Sequence, residues 1–235
     1  MEKPLYMQDC YLKEWDATVT KAEGKYVVLD RTAFYPNSGG QPWDTGRMVR
    51  SDGTEFSVVF AGKFSGSISH EADKPGLKPG DRVHCTIDWE RRYMLMRYHT
   101  AAHIVSKAIR EETGATITGN QLATDKGRID FDLDEFDKEK IMSYQEKVNS
   151  VISRNLSVKK YFLPRDQALQ MPELFSLRDK LPPEVDEMRI VEIGDFDRSA
   201  CGGTHLDNTS EIGRVTFTEI SNKGKNNRRV YFTLG

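Results

Sequence analysis

A long apolar run is the first feature that this sequence lacks. None of its 235 residues falls in a stretch of the ~18 consecutive apolar residues that a membrane-spanning helix needs. The N-terminal segment MEKPLYMQDC has no apolar core of the kind that a secretory signal carries. Three cysteines, Cys10, Cys85 and Cys201, lie far apart and form no CxxC pair. This usage argues against a disulfide framework and for a reducing compartment, so we expect a cytoplasmic protein that does not bind membranes.

An excess of charge of one sign is also missing. The chain has 34 Lys and Arg against 36 Asp and Glu, a net charge of −2. Proteins that coat nucleic acid are strongly basic, so any RNA contact of this chain has to come from local patches. Hydrophobic residues make up 37% of the chain and aromatic residues 10%, which is within the range of globular proteins without a disordered tract.

The first ~90 residues carry short apolar runs separated by turn signals, a pattern typical of β-structure. ATVTKAEGKYVVLD predicts two strands around Glu23-Gly24, and GRMVRSDGTEFSVVF predicts a hairpin at Asp52-Gly53, where a tight turn needs positive φ. A turn cluster at residues 74–81 precedes a last strand, DRVHCTIDW. Because a barrel closes such a set without exposed edges, we predict a small antiparallel β-barrel over residues 1–89.

Helical periodicity begins after Trp89. No proline or glycine occurs from Glu90 to Thr113, and Gly114 supplies a C-terminal stop. The helix has an apolar stripe, formed by Met94, Tyr98, Ala101, Val105 and Ala108. A second helix is predicted from about Asp137 to Asn155, with an apolar face formed by Ile141, Tyr144, Val148, Val151 and Ile152.

Strands are predicted around and after these two helices. TITGNQLATDKGRIDFDL predicts a hairpin, and SVKKYFL, MRIVEI, GRVTFTEI and RRVYFTL predict further strands, with a short helix that Pro164 opens. Helices on one face of an antiparallel sheet give an α+β domain. We therefore predict an α+β fold class for the chain, with the barrel followed by an α+β domain over residues 90–235.

Four possible metal ligands occur in two motifs. HTAAH places His99 and His103 four residues apart on one face of the first helix. That face continues through mostly polar positions, so we expect the histidines to line a wet or open surface; these positions are Arg92, Met96, Ser106, Lys107 and Arg110. Far downstream, CGGTH places Cys201 and His205 at the same spacing in a glycine-containing loop.

Three nitrogens and one sulfur form the borderline-soft, tetrahedral set that Zn²⁺ prefers. We therefore predict one Zn²⁺ held by His99, His103, Cys201 and His205. The motif does not predict a zinc protease of the HExxH type, because Thr100 stands where its glutamate base would be. A nucleophile pair of Cys201 with a histidine is the alternative use of these residues. The remaining histidines, His70 and His84, are expected to be structural or solvated.

These motifs resemble a known family. HTAAH followed by SACGGTHLDNTSEIG is similar to the HxxxH and CxxxH motifs of the alanyl-tRNA synthetase editing domain and of its free-standing relatives, the AlaX group. AFYPNSGGQPWDTG at residues 33–46 resembles the segment that precedes the editing domain in that family. The resemblance covers nearly the whole chain.

The resemblance implies a β-barrel followed by the α+β editing fold that threonyl-tRNA synthetases share. It also implies hydrolysis of Ser-tRNA(Ala), and of Gly-tRNA(Ala), at the aminoacyl ester, with the four ligands matching the family's metal residues. Since no synthetase core fits ahead of the barrel, we expect the chain to edit the acceptor end of tRNA(Ala) in trans, without charging it and without a nucleotide cofactor. The family places a threonine near the substrate side chain, which implies Thr118 as the catalytic-site hydroxyl, with Thr116 as the reserve.

Accurate charging of tRNA with alanine requires an editing reaction. An alanine pocket does not exclude glycine by size, and serine exceeds alanine by one hydroxyl. Such differences give only ~1–3 kcal/mol of discrimination, so a second, hydrolytic sieve is needed. Four protein ligands are typical of a closed structural zinc, whereas a catalytic zinc keeps an open position. Either one ligand is displaced, or the metal positions the substrate amine while another group orients the attacking water.

Two loops are candidate RNA contacts. The turn Asn37-Ser38-Gly39-Gly40-Gln41 is either a plain β-turn or a tRNA-binding loop in which Gly39, Gly40 and Gln41 approach the acceptor end. A basic cluster is either a phosphate site or a solvated hairpin tip; its members are Lys223, Lys225, Arg228 and Arg229.

Two further functions compete with trans-editing. One is the hydrolysis of other aminoacyl or peptidyl esters of tRNA by a zinc enzyme, including a threonyl-type editor. The other is RNA binding by a zinc-stabilised module that has no catalytic activity. Turnover of mischarged Ser-tRNA(Ala), with and without chelator, separates the three.

Overall fold

A computed structural model describes residues 3–134, 137–175, 185–224 and 227–235. The backbone divides into two compact units, Met1–Leu95 and Met96–Gly235. Among the helices within these described ranges, none combines the length and apolar character that crossing a bilayer requires. The two units are described separately below.

The first unit contains a closed barrel of six antiparallel strands in the order β1-β2-β5-β4-β3-β6, which confirms the predicted barrel. In chain order its elements are α1 (Leu5–Gln8), β1 (Glu14–Glu23), β2 (Tyr26–Leu29), β3 (Gly46–Arg50), β4 (Glu55–Phe64), β5 (Ser67–Ala72) and β6 (Arg82–Ile87).

Turn glycines and alternating side chains explain this barrel. Gly24 and Gly53 have φ of 58° and 83°, which L-residues rarely adopt, and they join β1 to β2 and β3 to β4 as predicted. Along the strands the side chains alternate, and the apolar ones on the inner face are buried in one core, which includes Val19, Phe56 and Val58. The alternation places those side chains inside and the intervening polar ones outside.

Helix α2 (Trp89–Thr113) begins in the first unit, and most of its residues belong to the second unit. The remaining α-helices and strands of the second unit are β7 (Ile117–Leu122), β8 (Gly127–Phe131), α3 (Lys138–Ser153), β9 (Val158–Pro164), α4 (Arg165–Leu169), β10 (Glu187–Ile193), β11 (Asp197–Ala200), β12 (Val215–Asn222) and β13 (Arg228–Leu234), and two 3-10 helices span Pro172–Leu174 and Thr209–Glu211. The strands form two antiparallel sheets, ordered β11-β10-β9 and β12-β13-β8-β7. The predicted α+β class is confirmed, with two sheets where one was expected.

Helix α3 agrees closely with its sequence pattern. The Asp137 carboxylate accepts a hydrogen bond from the Lys140 N–H at 2.9 Å and caps the helix, which satisfies one of the free N–H groups of the first turn. All five residues of the predicted apolar face are buried. Pro164, expected at the first position of α4, is instead its N-cap and the last residue of β9.

The histidine face of α2 agrees only in part with the sequence prediction. Arg92, Met96, His99 and Ser106 are buried, whereas His103, Lys107 and Arg110 are half-buried. Arg92 is tolerated inside the first unit because its guanidinium pairs with Asp44 and donates to the backbone carbonyls of Cys10 and Ala33. A buried cation needs such partners, and these residues are too distant in sequence to be inferred from helical periodicity.

Candidate metal centre

The four predicted ligands converge within the second unit. His99 and His103 lie one turn apart on α2, and Cys201 and His205 lie in the loop that follows β11. Each offers one ligand atom, and these atoms all lie within 4.8 Å of one another. The cluster therefore has the composition and the spacing to bind a metal ion.

The distances within the cluster agree with tetrahedral coordination. Cys201 Sγ lies 3.5 Å from His99 Nε2 and 3.3 Å from His205 Nε2. Bonds of about 2.0–2.3 Å to a tetrahedral ion separate neighbouring ligand atoms by roughly 3.3–3.8 Å. The free side chains are thus already close to the positions that an ion would require.

Two hydrogen bonds on the outer side of the cluster orient its imidazoles. His103 Nδ1 lies 3.0 Å from Asp197 Oδ2, and the Ser199 hydroxyl holds that carboxylate at 3.0 Å from the same oxygen. His205 Nδ1 lies 3.2 Å from Thr100 Oγ1. Contacts at Nδ1 leave Nε2 as the ligand atom, and such partners fix both the tautomer and the ring direction.

The CGGTH loop is shaped by a buried arginine and a close approach. The Arg189 guanidinium donates to the carbonyl oxygens of Cys201 at 3.1 Å and Gly203 at 2.8 Å. The Gly203 N–H donates to Cys201 Sγ at 3.4 Å, a contact that stabilises a thiolate. A Cβ atom at Gly203 would overlap the His99 ring, so only glycine lets the loop pass this closely.

The electrostatics of the cluster favour the thiolate form of Cys201. Burial raises the pKa of Cys201, but the charges of His99 and His205 and hydrogen bonds from the histidines lower it by more than burial raises it. The pKa of Cys201 therefore lies well below its usual value. Burial lowers the pKa of His103, but bonds to Asp197 and Cys201 and their charges raise it to about 10. Burial and the neighbouring His99 hold the pKa of His205 well below its usual value.

The cluster is more accessible on one side than on the other. His205 is fully buried and His99 nearly so. Cys201 is half-buried, and the side chain of His103 is 13% exposed next to Asp197 at 10%. The least buried side of the cluster is therefore the one formed by His103 and Cys201.

Thr118, the threonine predicted to contact the substrate, lies in the four-stranded sheet, whereas the loop with Cys201 and His205 follows β11 of the three-stranded sheet. Thr118 is exposed at an irregularity in the pairing of β7 with β8, and it makes no hydrogen bond to the four ligands among the described residues. Thr116, the reserve, has its hydroxyl bonded to Asp132 Oδ2 at 2.8 Å. Of the two hydroxyls, that of Thr118 is the one available to a ligand.

The glycine-rich segment of the first unit forms a tight turn. Gly39 and Gly40 have φ of 59° and 83°, and the backbones of Ser38 and Gln41 pair across them, with the Gln41 N–H 2.9 Å from the Ser38 oxygen. Ser38 and Gly39 are exposed, but Gln41 is fully buried. The Gln41 side chain, predicted to contact RNA, is thus buried within the protein.

The basic hairpin tip is used mainly within the protein. Buried Arg228 donates to the carbonyl oxygens of Gly224 and Asp134, and Arg229 pairs with Asp130. Lys225 lies outside the described residues. These internal bonds favour the solvated-tip alternative over a phosphate site for the two arginines.

Two residues that orient the cluster did not emerge from the sequence. Asp197 stands four residues before Cys201, and Thr100 stands between the two helix histidines, where it was considered only as a missing glutamate. A carboxylate near a ligand motif is a weak signal, because His103 and Asp197 meet from 94 residues apart. Histidines His70 and His84 agree with their prediction, since His70 is buried in the barrel core and His84 is an exposed partner of Asp16.

Comparison with known proteins places this chain among the relatives of two aminoacyl-tRNA synthetases. Residues 188–231, which include Cys201 and His205, match the family model described as the threonyl and alanyl tRNA synthetase second additional domain. Residues 7–91, which include the barrel and its glycine turn, match the model of class II (A) tRNA synthetases.

Full-length relatives narrow the class to a family. The chain is 51% identical to the alanyl-tRNA editing protein AlaX-M of Methanosarcina mazei, over all of this chain and 97% of that protein. It is 41% identical to AlaX-M of Saccharolobus solfataricus, over all of this chain and 99% of that protein. It is also 37% identical to the alanine–tRNA ligase of Pyrococcus furiosus, where it spans 26% of the ligase. The chain belongs to the alanyl-tRNA editing protein family, AlaX-M, as the resemblance implied.

Proposed function

We propose that this protein hydrolyses the ester bond of tRNA(Ala) mischarged with serine, and with glycine, acting in trans in the cytoplasm. The convergence of His99, His103, Cys201 and His205 on one point carries the proposal. Family membership supports it, because the relatives that match over the full chain are named alanyl-tRNA editing proteins.

Zinc is the metal that we propose for this cluster. One thiolate and three imidazoles suit Zn²⁺ better than the oxygen-preferring ions Mg²⁺ and Ca²⁺. The lowered pKa of Cys201 favours the thiolate that a metal ligand must be. When bound, zinc supplies a Lewis acid that polarises an ester carbonyl or activates water.

The residues of the chain have the following proposed roles. Asp197 and Thr100 hold the rings of His103 and His205, so that the ligand nitrogens keep their direction while substrate enters past His103. Arg189 keeps the Cys201 carbonyl in place and thereby fixes the loop. Fixed geometry of this kind reduces the reorganisation needed when charge develops on the ester.

A deacylation assay with a matched variant tests this function. Wild-type protein incubated with Ser-tRNA(Ala) should release serine, and a zinc chelator should abolish that release. Cys201→Ala removes the thiolate and should lose most turnover and most bound zinc while the barrel stays folded. Cys85→Ala removes a buried thiol from the barrel and serves as the control for cysteine loss.

Three outcomes separate the competing functions. No serine release by wild type, together with tRNA binding, would leave the non-catalytic RNA-binding module. Release of other aminoacyl or peptidyl esters in preference to Ser-tRNA(Ala) would assign a different ester hydrolase. Wild-type turnover by Cys201→Ala would contradict the metal role of the thiol.

Thr118 is proposed to recognise the hydroxyl of the misattached serine. Its side chain is exposed on β7 and has no bond within the described residues to compete with a ligand. Thr118→Val preserves the shape and removes the hydroxyl, so Ser-tRNA(Ala) deacylation should fall by about tenfold, the value of one hydrogen bond of roughly 1.4 kcal/mol. Thr116→Val is the control at the reserve position, and equal rates for Thr118→Val and wild type would exclude Thr118.

A further inference from the structure

We propose that the outer face of β4 is a stacking surface for unpaired nucleotides of the tRNA. The inference rests on the proposed function, because it assigns a binding surface to the same substrate. Its elements are the rings of Trp43, Phe60 and Phe64 with Gly62 between the last two, here named the aromatic strip.

Strand pairing places the aromatic strip on the outside of the barrel. Val27, His70 and Ala61 pair across β2, β5 and β4 and are all buried. Side chains alternate along a strand, so the residues on either side of Ala61, which are Phe60 and Gly62, have the opposite direction. Phe64 follows two positions later and is 60% exposed, although a large apolar side chain gains free energy from burial.

The rings form one continuous surface. A Cβ atom at Gly62 would lie 2.7 Å from Phe60 Cε1 and 2.8 Å from Phe64 Cε2, so both rings lean over the glycine. Trp43 packs edge-on against Phe60, with ring centroids 4.7 Å apart. Phe64 is exposed, and Phe60 and Trp43 are half-buried beside it. Apolar surface that continues across several rings marks a binding site, whereas a single exposed side chain does not.

A cation accompanies the aromatic rings. The Arg91 guanidinium lies 5.9 Å from the centre of the Trp43 ring and donates to the Trp43 carbonyl at 3.1 Å. Aromatic rings interleaved with basic residues are how proteins bind single-stranded nucleic acid, because bases stack on the rings while cations attract phosphates.

The aromatic strip adjoins the glycine turn. The Asn37 N–H donates to the Ala61 carbonyl at 2.9 Å, and Trp43 Nε1 donates to the Val59 carbonyl at 2.7 Å. The segment from Asn37 to Trp43 therefore runs along β4, with Ser38 and Gly39 at its exposed tip. An RNA strand that passes the glycine turn meets the aromatic strip next, which favours RNA over a protein partner as the occupant.

Substitutions at Phe64 separate stacking from simple apolar contact. Phe64→Leu keeps an apolar side chain but has no aromatic face, and Phe64→Trp provides a larger aromatic face. The quantity measured is the dissociation constant for uncharged tRNA(Ala), determined by fluorescence anisotropy. We expect about tenfold weaker binding for Phe64→Leu, within the range of one base stacked on an aromatic ring, and binding at least as tight as wild type for Phe64→Trp.

Further readouts make the result unambiguous. Val59→Ala removes another exposed apolar side chain from β4 and should leave the affinity for tRNA unchanged. Addition of tRNA should quench tryptophan fluorescence more in Phe64→Trp than in wild type. Hydrolysis of a seryl ester of adenosine, which lacks the rest of the tRNA, should proceed at the wild-type rate in every variant.

Wild-type affinity in Phe64→Leu, or equal weakening in the Leu and Trp variants, would overturn the inference and leave a protein partner as the occupant of this face. The proposed function fails by a different result, which is the absence of serine release by wild-type protein. Binding of tRNA is measured without turnover, so the two failures are distinguishable.

Discussion

Beyond the four ligands themselves, the interaction of His103 with Asp197 is the residue-scale feature on which metal affinity should depend. The carboxylate accepts a hydrogen bond from the Nδ1–H group and keeps the other nitrogen basic. Asp197→Asn preserves the size of the side chain and removes its charge, so we expect metal affinity to fall about 10- to 100-fold, measured by competition with a chromophoric chelator. Asp195→Asn, on the exposed partner of Arg154, is the control, and equal affinity in both variants would contradict the role of Asp197.

His70 makes a second residue-scale prediction, which concerns stability and not catalysis. Its Nδ1 donates to the Val27 carbonyl at 3.1 Å, so its Nε2 accepts from the Thr32 hydroxyl at 2.9 Å. The ring is thus neutral, and burial lowers its pKa to about 4. The contribution of His70 to the stability of the fold is complete above the unfolded-state pKa of 6.5. This contribution is lost as the pH falls towards 4, because only the unfolded chain then binds the proton.

Urea unfolding at two pH values measures this effect. Between pH 7 and pH 4.5 the His70 contribution to the free energy of unfolding should fall by about 2.5 kcal/mol. His70→Gln should remove that part of the pH dependence, whereas His84→Gln, at an exposed histidine, should retain it. Identical pH dependence in wild type and His70→Gln would show that the buried imidazole does not titrate as described.

At the scale of elements, the glycine turn is expected to serve RNA and not the metal. Alanine at both Gly39 and Gly40 forces two L-residues into the left-handed region, at a cost of about 1–2 kcal/mol each. Gly39→Ala with Gly40→Ala should weaken tRNA binding while metal content and hydrolysis of the adenosine ester are unchanged. Loss of metal or failure to fold would make the turn purely structural.

The barrel offers a closely matched control for that double variant. Gly24 and Gly53 have φ of 58° and 83°, nearly the same as the 59° and 83° of the tested pair, and a Cβ atom at either would meet open space. Gly24→Ala with Gly53→Ala therefore imposes the same backbone strain at other turns. Weaker tRNA binding should occur only when the substitutions are at Gly39 and Gly40.

Elements with regular patterns could be predicted from the sequence, and those that depend on distant contacts could not. The buried face of α3 and the hairpin at Asp52-Gly53 follow from periodicity and turn chemistry. Strand β5 was not predicted because His70 occupies an inward position that normally carries an apolar residue, and β11 is only four residues long. The four ligands could be predicted because their spacing is local, whereas Asp197 supports His103 through tertiary structure alone.

At the scale of the whole molecule, the metal is expected to order one unit and not the other. All four ligands lie within Met96–Gly235, and the barrel core lies within Met1–Leu95. Hydrogen exchange after chelation should therefore quicken in the second half of α2 and in residues 201–206, with β1 to β6 remaining protected. Cys201→Ala should show the chelated pattern with or without chelator, and uniform exchange changes across both units would contradict this division.

The long sequence separation of the two ligand motifs has a consequence for biosynthesis. His99 and Cys201 are 102 residues apart, and ribosomes add about 5–20 residues per second. The barrel can thus fold on the emerging chain for roughly 5–20 s before the second pair of ligands exists. Metal capture is therefore a late event in the life of each molecule, and a ribosome that stalls within this interval leaves a folded barrel without a metal centre.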